Sequence, residues 1–179
     1  MADKVKFGLS NVHIFPIKPD GSYDAVIKVA GAVNFSMDAQ GDTSDFYADN
    51  MIYYTSVANN GYSGDLEVAN IPDEVWEKIF NMEKDDNGVF VEDSTKEVVP
   101  FALLFEQAGD VKGTKFCLYN CKATRPSRSL STTTETKEPQ TFTMSVKATP
   151  LTDGKVIAMT SDTTDAQVIT DWYTAPYEG

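Results

Sequence analysis

The sequence predicts a mostly β protein, a sandwich or barrel with one short α-helix and long assembly loops, built as a single domain over residues 1–179. Three observations predict it. Long stretches alternate polar and apolar residues with period two, the pattern of half-buried strands. Only one segment carries the i, i+3, i+4 spacing of an amphipathic helix. Turn chemistry (Asn59-Asn60-Gly61, Asn87-Gly88, Asp153-Gly154) punctuates the alternating stretches.

The elements follow in order. "NVHIFPI" (11–17) alternates and reads as a strand. From Ala25 to Met37 the odd positions Ile27, Val29, Val33, Phe35 and Met37 are apolar, and Lys28, Asn34 and Ser36 stand between them. At ~3.3 Å per residue that is a ribbon of ~40 Å, with Gly31 as its bend or bulge. "FYADNMIYYTSVA" (46–58) is an aromatic-rich strand. It turns through Asn59-Asn60-Gly61 into "GDLEV", which places Leu66 and Val68 on one face and Asp65 and Glu67 on the other. "IPDEVWEKIF" is the helix: Pro72 suits its first turn, Asp73 and Glu74 its positive end, and Val75, Trp76, Ile79 and Phe80 form one stripe. "KDDNGVF" turns back into a strand, and "VPFALLFEQ", apolar throughout, reads as central. "KFCLYNCKA" is a further strand. "QTFTMSVKATP" turns Phe142, Met144, Val146 and Ala148 inward, and "GKVIAMTS" supplies a last strand. Residues 127–140, rich in Ser and Thr, read as a loop or hairpin tip, and about 165–179 as a C-terminal arm with too little pattern to assign.

Composition narrows the function. The apolar share of 41% supports a true core, and the net charge of −12 excludes a nucleic-acid-binding surface or an anionic membrane as partner. No apolar run approaches the ~20 residues needed to span a bilayer. The opening "MADKVKFGLS" lacks the apolar centre of a secretory signal, so synthesis in a cytoplasm is expected. Cys117 and Cys121, four apart on one strand, would sit ~13 Å apart, too far for a disulfide, and are expected as buried thiols.

No catalytic constellation emerges. His13, the single histidine, alternates within a strand and reads as structural. Three N/S ligands fall short of a zinc site. "EKDDNG" imitates the start of a calcium loop with Glu83, Asp85, Asn87 and Gly88, but Ser94 stands where the bidentate Glu is required, so a turn is expected. "GDVKGT" lacks the order of a phosphate loop and reads as a hairpin turn. Asp42, Asp45 and Asp49 read as a solvated acidic loop rather than a cation site. No enzyme, metal or cofactor is expected.

Charge is distributed unevenly. Val111 to Arg128 holds Lys112, Lys115, Lys122, Arg125 and Arg128 with no acid, so against the net −12 the rest of the chain carries −17. A basic patch on an acidic body suits either a solvated face or a subunit that assembles head to tail.

Four segments carry a resemblance: "FYADN", "NNGYSGDLEVANIPDEV", "FALLFEQAGDVKGTKFCLYNCKATRPS" and "EPQTFTMSVKATP". Together with "KVKFGLSNVHIFPI" they resemble, in order and spacing, the major tail proteins of long-tailed, non-contractile phages of Gram-positive bacteria. The resemblance implies hexameric rings stacked into a tube, with double-stranded DNA passing through the bore without specific binding. It also implies tape-measure, tail-tip and terminator proteins as partners, and residence in the virion tail after synthesis in the host cytoplasm. A bore that carries a polyanion should not hold it, which makes Asp65 and Glu67 candidates for the lumen, although a solvated outer face has the same alternation. Asp42, Asp45 and Asp49, in the loop Gly41–Asn50, are the candidates to meet Lys122, Arg125 and Arg128 of the next ring. Two other readings stand beside this one. One is a carbohydrate-binding sandwich using Tyr53, Tyr54, Tyr62 and Trp172; the other is a tube subunit of a phage-derived, bacteriocin-like device.

Overall fold

The computed structural model describes residues 8–109, 113–132 and 139–179. Positions 110–112 in the middle of the "GDVKGT" turn, Lys112 among them, the opening Lys4–Phe7 and positions 133–138 of the Ser/Thr-rich stretch lie outside them. In chain order the elements are β1 (Leu9–Pro16), β2 (Ile27–Val29), β3 (Ala32–Phe35), β4 (Asp38–Gln40), β5 (Thr43–Ala48), β6 (Met51–Val57) and β7 (Gly61–Val68). Next come α1 (Asp73–Lys78), β8 (Glu83–Lys84), β9 (Phe90–Val91), β10 (Phe101–Gln107) and β11 (Thr114–Ala123). The chain ends with β12 (Ser127–Arg128), β13 (Phe142–Ala148), β14 (Ile157–Met159) and α2 (Ala166–Asp171).

One antiparallel sheet dominates, with strand order β2-β1-β10-β11-β13-β7-β3; β14 also pairs with β11, β12 with β13, and β4 with β7. β2 and β3 stand at its two ends, yet only Ala30 and Gly31 separate them in the chain. Laid flat, seven strands would hold those edges roughly 29 Å apart. Two linking residues span at most ~11 Å. The sheet therefore curls until its edges meet. Gly31 permits the sharp passage: its φ is +79°, and a Cβ there would lie 2.8 Å from the Cβ of Ala69. The ribbon expected from Ala25 to Met37 is thus broken in two at this point. A register shift between Ala32 and Asn34 against β7 turns Val33 outward, 53% exposed, against the alternation that placed it inside.

The enclosed core takes alternate residues from every long strand: Val12 and Ile14, Leu66 and Val68, Phe101, Leu103 and Phe105, Leu118 and Cys121, and Met144, Val146 and Ala148. Ile71 and, from the helical segment, Val75, Ile79 and Phe80 complete it. Pro72 stands just before α1 as its N-cap rather than inside its first turn.

The outer face of the sheet carries a second apolar cluster of Phe15, Ala102, Leu104, Cys117, Tyr119 and Trp172. This explains why "FALLF" is apolar at every position: β10 is covered on both faces. Cys117 and Cys121 fall in different clusters although their spacing alone would place them on one face. The pairing of β10 with β11 shifts register between Phe101↔Cys121 and Leu103↔Leu118, and that irregularity reverses the alternation. Both thiols are free and buried.

The cover of this outer face is the C-terminal segment. Sequence periodicity missed α2, whose signal is the N-cap Asp165, its side chain accepting from the Gln167 N–H. The segment is docked by Trp172, stacked on Tyr177 with centroids 5.7 Å apart, and by the Tyr119 hydroxyl, which donates to Tyr177 O at 2.5 Å. Beside it Lys115 Nζ lies 2.7 Å from Glu106 Oε2, with side chains 11% and 16% exposed. Asn11 Nδ2 and the Tyr173 hydroxyl each donate to the same oxygen at 3.0 Å. Burial by itself would raise the pKa of Glu106. The hydrogen bonds from Lys115 and Asn11, the Lys115 charge and the Tyr173 hydroxyl outweigh it and hold the carboxyl below its ordinary value.

Two outcomes follow from this arrangement. Leu103→Ala, in the closed core, is expected to cost about 2–5 kcal/mol in urea unfolding, whereas Val33→Ala should stay within about 0.5 kcal/mol. A folding-depressed carboxyl adds stability above its unfolded value of ~4.3 and loses it as pH falls through the folded one. Glu106→Gln should therefore destabilise by about 1–3 kcal/mol at pH 7, and its gap to the unmodified protein should narrow below about pH 4.

Candidate assembly interface

The segment of greatest interest leaves the barrel altogether. Among the described residues β5 and β6 pair only with each other, through registers running from Thr43↔Val57 to Ala48↔Met51. They continue the β4–β7 ladder outward, since Asn60 N donates to Gln40 O and Ala58 N to Asp42 O. A side chain at Gly41 would strike the Ala58 carbonyl oxygen at 2.0 Å, which is why the ribbon narrows there on glycine. The tip turns at Asp49 and Asn50, both with positive φ (52° and 59°), a conformation that Asp and Asn tolerate. The stretch Gly41–Asn50, expected as an acidic loop, is therefore largely a strand and the tip of a hairpin. "FYADNMIYYTSVA", expected as one strand, contains that tip and contributes to both β5 and β6.

Both faces of this hairpin are bare. Phe46, Tyr47, Met51, Ile52, Tyr53, Tyr54 and Val57 are each more than half exposed, Tyr53 at 71%. An isolated two-stranded hairpin is marginal in water, and contiguous exposed apolar surface marks a contact site. Asp42, Asp45 and Asp49 all lie on or beside it. Asp45 accepts from the Thr55 hydroxyl across the ladder at 2.7 Å.

Register fixes where the basic residues stand relative to the hairpin. β7 runs from Gly61, beside the hairpin, to Val68, which pairs with Ala32 and Phe142. Arg128 pairs with that same Phe142. The acidic hairpin and Arg128 are therefore at opposite ends of the β7–β13 ladder, separated by eight residues of β7, about 26 Å.

The three basic residues expected to act together are divided. Arg125 is ion-paired through Nε with Glu92, and its Nη2 donates to Lys96 O at 3.4 Å. The Arg128 guanidinium lies 5.0 Å from the centroid of Trp76 and 5.6 Å from that of Phe142. Lys122 stands on the outer sheet face directly opposite Lys147, a residue the sequence did not single out.

Asp65 and Glu67 do face away from the core. Asp65 Oδ1 accepts from the Ser145 hydroxyl at 2.5 Å, and Glu67 Oε1 from the Thr141 hydroxyl at 2.6 Å. Their face is not a pure carboxylate wall. Asp65 shares one shallow cleft of about 440 Å³ with Asp38, Lys122 and Lys147, walled by Ser36, Ser63, Thr124 and Ser145.

The remaining chemical candidates are built into the frame. His13 Nδ1 donates to Asn11 O at 2.7 Å, and the ring stacks on Tyr173 with centroids 4.5 Å apart. Burial, more than the nearby Lys28, holds its pKa below the ordinary value. Burial also pushes the Cys117 thiol up to about 12 and the Cys121 thiol higher still, so neither is a thiolate near neutrality. "EKDDNG" forms the β8–β9 hairpin turn, with Asp85 Oδ1 accepting from the Asn87 and Val89 N–H groups. Among the described residues no group of three His, Cys, Asp or Glu side chains is placed to hold a metal, and no helix is long and apolar enough to cross a membrane. The aromatics of a sugar platform are scattered. Tyr53 and Tyr54 project on the hairpin, Tyr62 packs against the inner core, and Trp172 is buried in the outer cluster.

No curated protein matches the chain. Among solved structures, one titled as the cryo-EM structure of the anti-feeding prophage cap, a tube terminating cap, aligns with a TM-score of 0.55. It covers 90% of this chain and 95% of that one at 10% identity, a likeness of fold. The family model described as phage tail tube protein matches residues 19–173. The chain belongs to the phage tail tube protein family.

Proposed function

We propose that this chain is the building subunit of a phage tail tube. Copies close into rings, six to a ring by the resemblance, and the rings stack around a bore through which double-stranded DNA passes without specific binding. The observation that carries this reading is the hairpin β5–β6. It is an acidic, apolar, two-faced arm that finds no partner element among the described residues and stands at the end of the barrel opposite Arg128. A surface of one kind at one end and of the other kind at the far end favours head-to-tail contacts over like-with-like pairing. The subunit is made in the host cytoplasm and resides in the virion tail, where tape-measure, tail-tip and terminator proteins are its further partners.

The polar face with Asp65 and Glu67 is the candidate bore. Its carboxylates are held by hydroxyls, and the adjacent Lys122 and Lys147 are balanced by Asp38 and Asp65, so the face offers phosphate no net attraction. A second reading, a subunit that ends a tube or builds a related phage-derived device, draws on the fold shared with the tube terminating cap. Electron microscopy separates the two, since a terminating subunit would bind tube ends without lengthening them.

Phe46→Ser/Tyr53→Ser is expected to leave the thermal midpoint of the subunit within a few degrees, both side chains being exposed, while abolishing tubes seen by negative stain. Normal tubes from that variant would refute the assembly role of the hairpin. Asp65→Lys/Glu67→Lys should preserve tube length but slow genome delivery measured as DNA release per particle, because bound phosphate would now drag. Unchanged release would remove these two residues from the bore.

A further inference from the structure

We infer that the acceptor for the hairpin is a specific platform on a second copy of this chain, formed by Arg128 lying over Trp76 and Phe142; this rests on the head-to-tail reading above. The platform combines three elements. α1 presents Trp76, β13 presents Phe142, and β12 holds Arg128 in register against it. Trp76 and Phe142 meet edge to face with centroids 6.3 Å apart, and Trp76 is backed by Phe80 at 5.4 Å. Both rings are only partly buried, whereas Phe80 behind them is closed off. The guanidinium lies against these rings, and Arg128 is exposed.

Charge and polarity match this surface to the hairpin rather than to an unrelated partner. Between Gly41 and Asn60 the chain carries Asp42, Asp45 and Asp49 and no Lys or Arg. Arg125, the other nearby guanidinium, is already paired with Glu92. Arg128 has no ion pair among the described residues. A flat guanidinium stacked on aromatics keeps its N–H edge free for a carboxylate, and the flanking rings suit the aromatic side chains of β5 and β6. Within one chain the two surfaces are held apart by the length of β7, so only another copy can bring them together.

The test combines charge reversal with tryptophan emission. Tube formation is followed by negative stain and sedimentation for Arg128→Glu, for Asp45→Lys/Asp49→Lys, and for all three changes in one chain. Each reversal alone is expected to raise the concentration needed for tubes at least tenfold, and the combined variant to recover most of the loss. Emission from Trp76, isolated by Trp172→Phe, should change when the unmodified interface assembles. Arg128→Lys keeps the charge but loses the flat stack, and should assemble at an intermediate concentration. Normal assembly of Arg128→Glu, or no recovery in the combined variant, would overturn the platform; with Phe46→Ser/Tyr53→Ser still failing, the tube reading would survive. Failure of the unmodified protein to form tubes even on added tail tips would overturn both.

Discussion

The structure depends on a short covalent constraint: Ala30 and Gly31 tie together the two strands that would otherwise be the far edges of the sheet. That link costs Gly31 a left-handed backbone and leaves no room for a side chain beside Ala69. In return the sheet closes, and alternate residues of every long strand meet in one interior. The helical segment after β7 completes that interior, and the C-terminal segment covers the opposite face where β10 is apolar on both sides.

Against that rigid frame the hairpin stands out as unfinished. Its ladder grows from β4 and β7 without interruption, so the barrel sets its position and direction, yet its side chains find no cover. Seven large apolar side chains of the hairpin stand in water, and contiguous exposed apolar surface of this kind marks a contact site. On the proposed reading, the occupant of that site is a second copy of the chain. The register of β7 and β13 places the acidic arm and the exposed guanidinium at opposite ends, an arrangement that propagates when copies meet head to tail and does not saturate in a closed pair.

The groups that might have suggested catalysis serve the frame instead. His13 braces Tyr173, Glu106 and Lys115 tie β10 and β11 to the C-terminal segment, and both thiols are raised out of reactive range by burial. Each is held by partners within the chain.

Period-two alternation, turn residues and one helical stripe determined the β class, the inward faces of β7 and β13, the central place of β10 and the existence of α1. Those features are local: a strand's two faces and a helix's stripe are written within a few residues. Segment order carried the family resemblance in the same way. What only the tertiary structure decided is everything that turns on register and closure. A bulge sent Val33 outward, an irregularity in β11 put Cys117 and Cys121 on opposite faces, and a stretch read as one aromatic-rich strand became parts of both strands of an exposed arm. Whether Tyr53 and Tyr54 are buried depends on what the fold brings against them, and no partner element is written into their own stretch of chain. The same holds for Arg128, whose place over Trp76 and Phe142 joins residues from three separate elements. Side-chain alternation is short-range and legible in sequence; the contacts that give a face its meaning are long-range and exist only once the chain has closed.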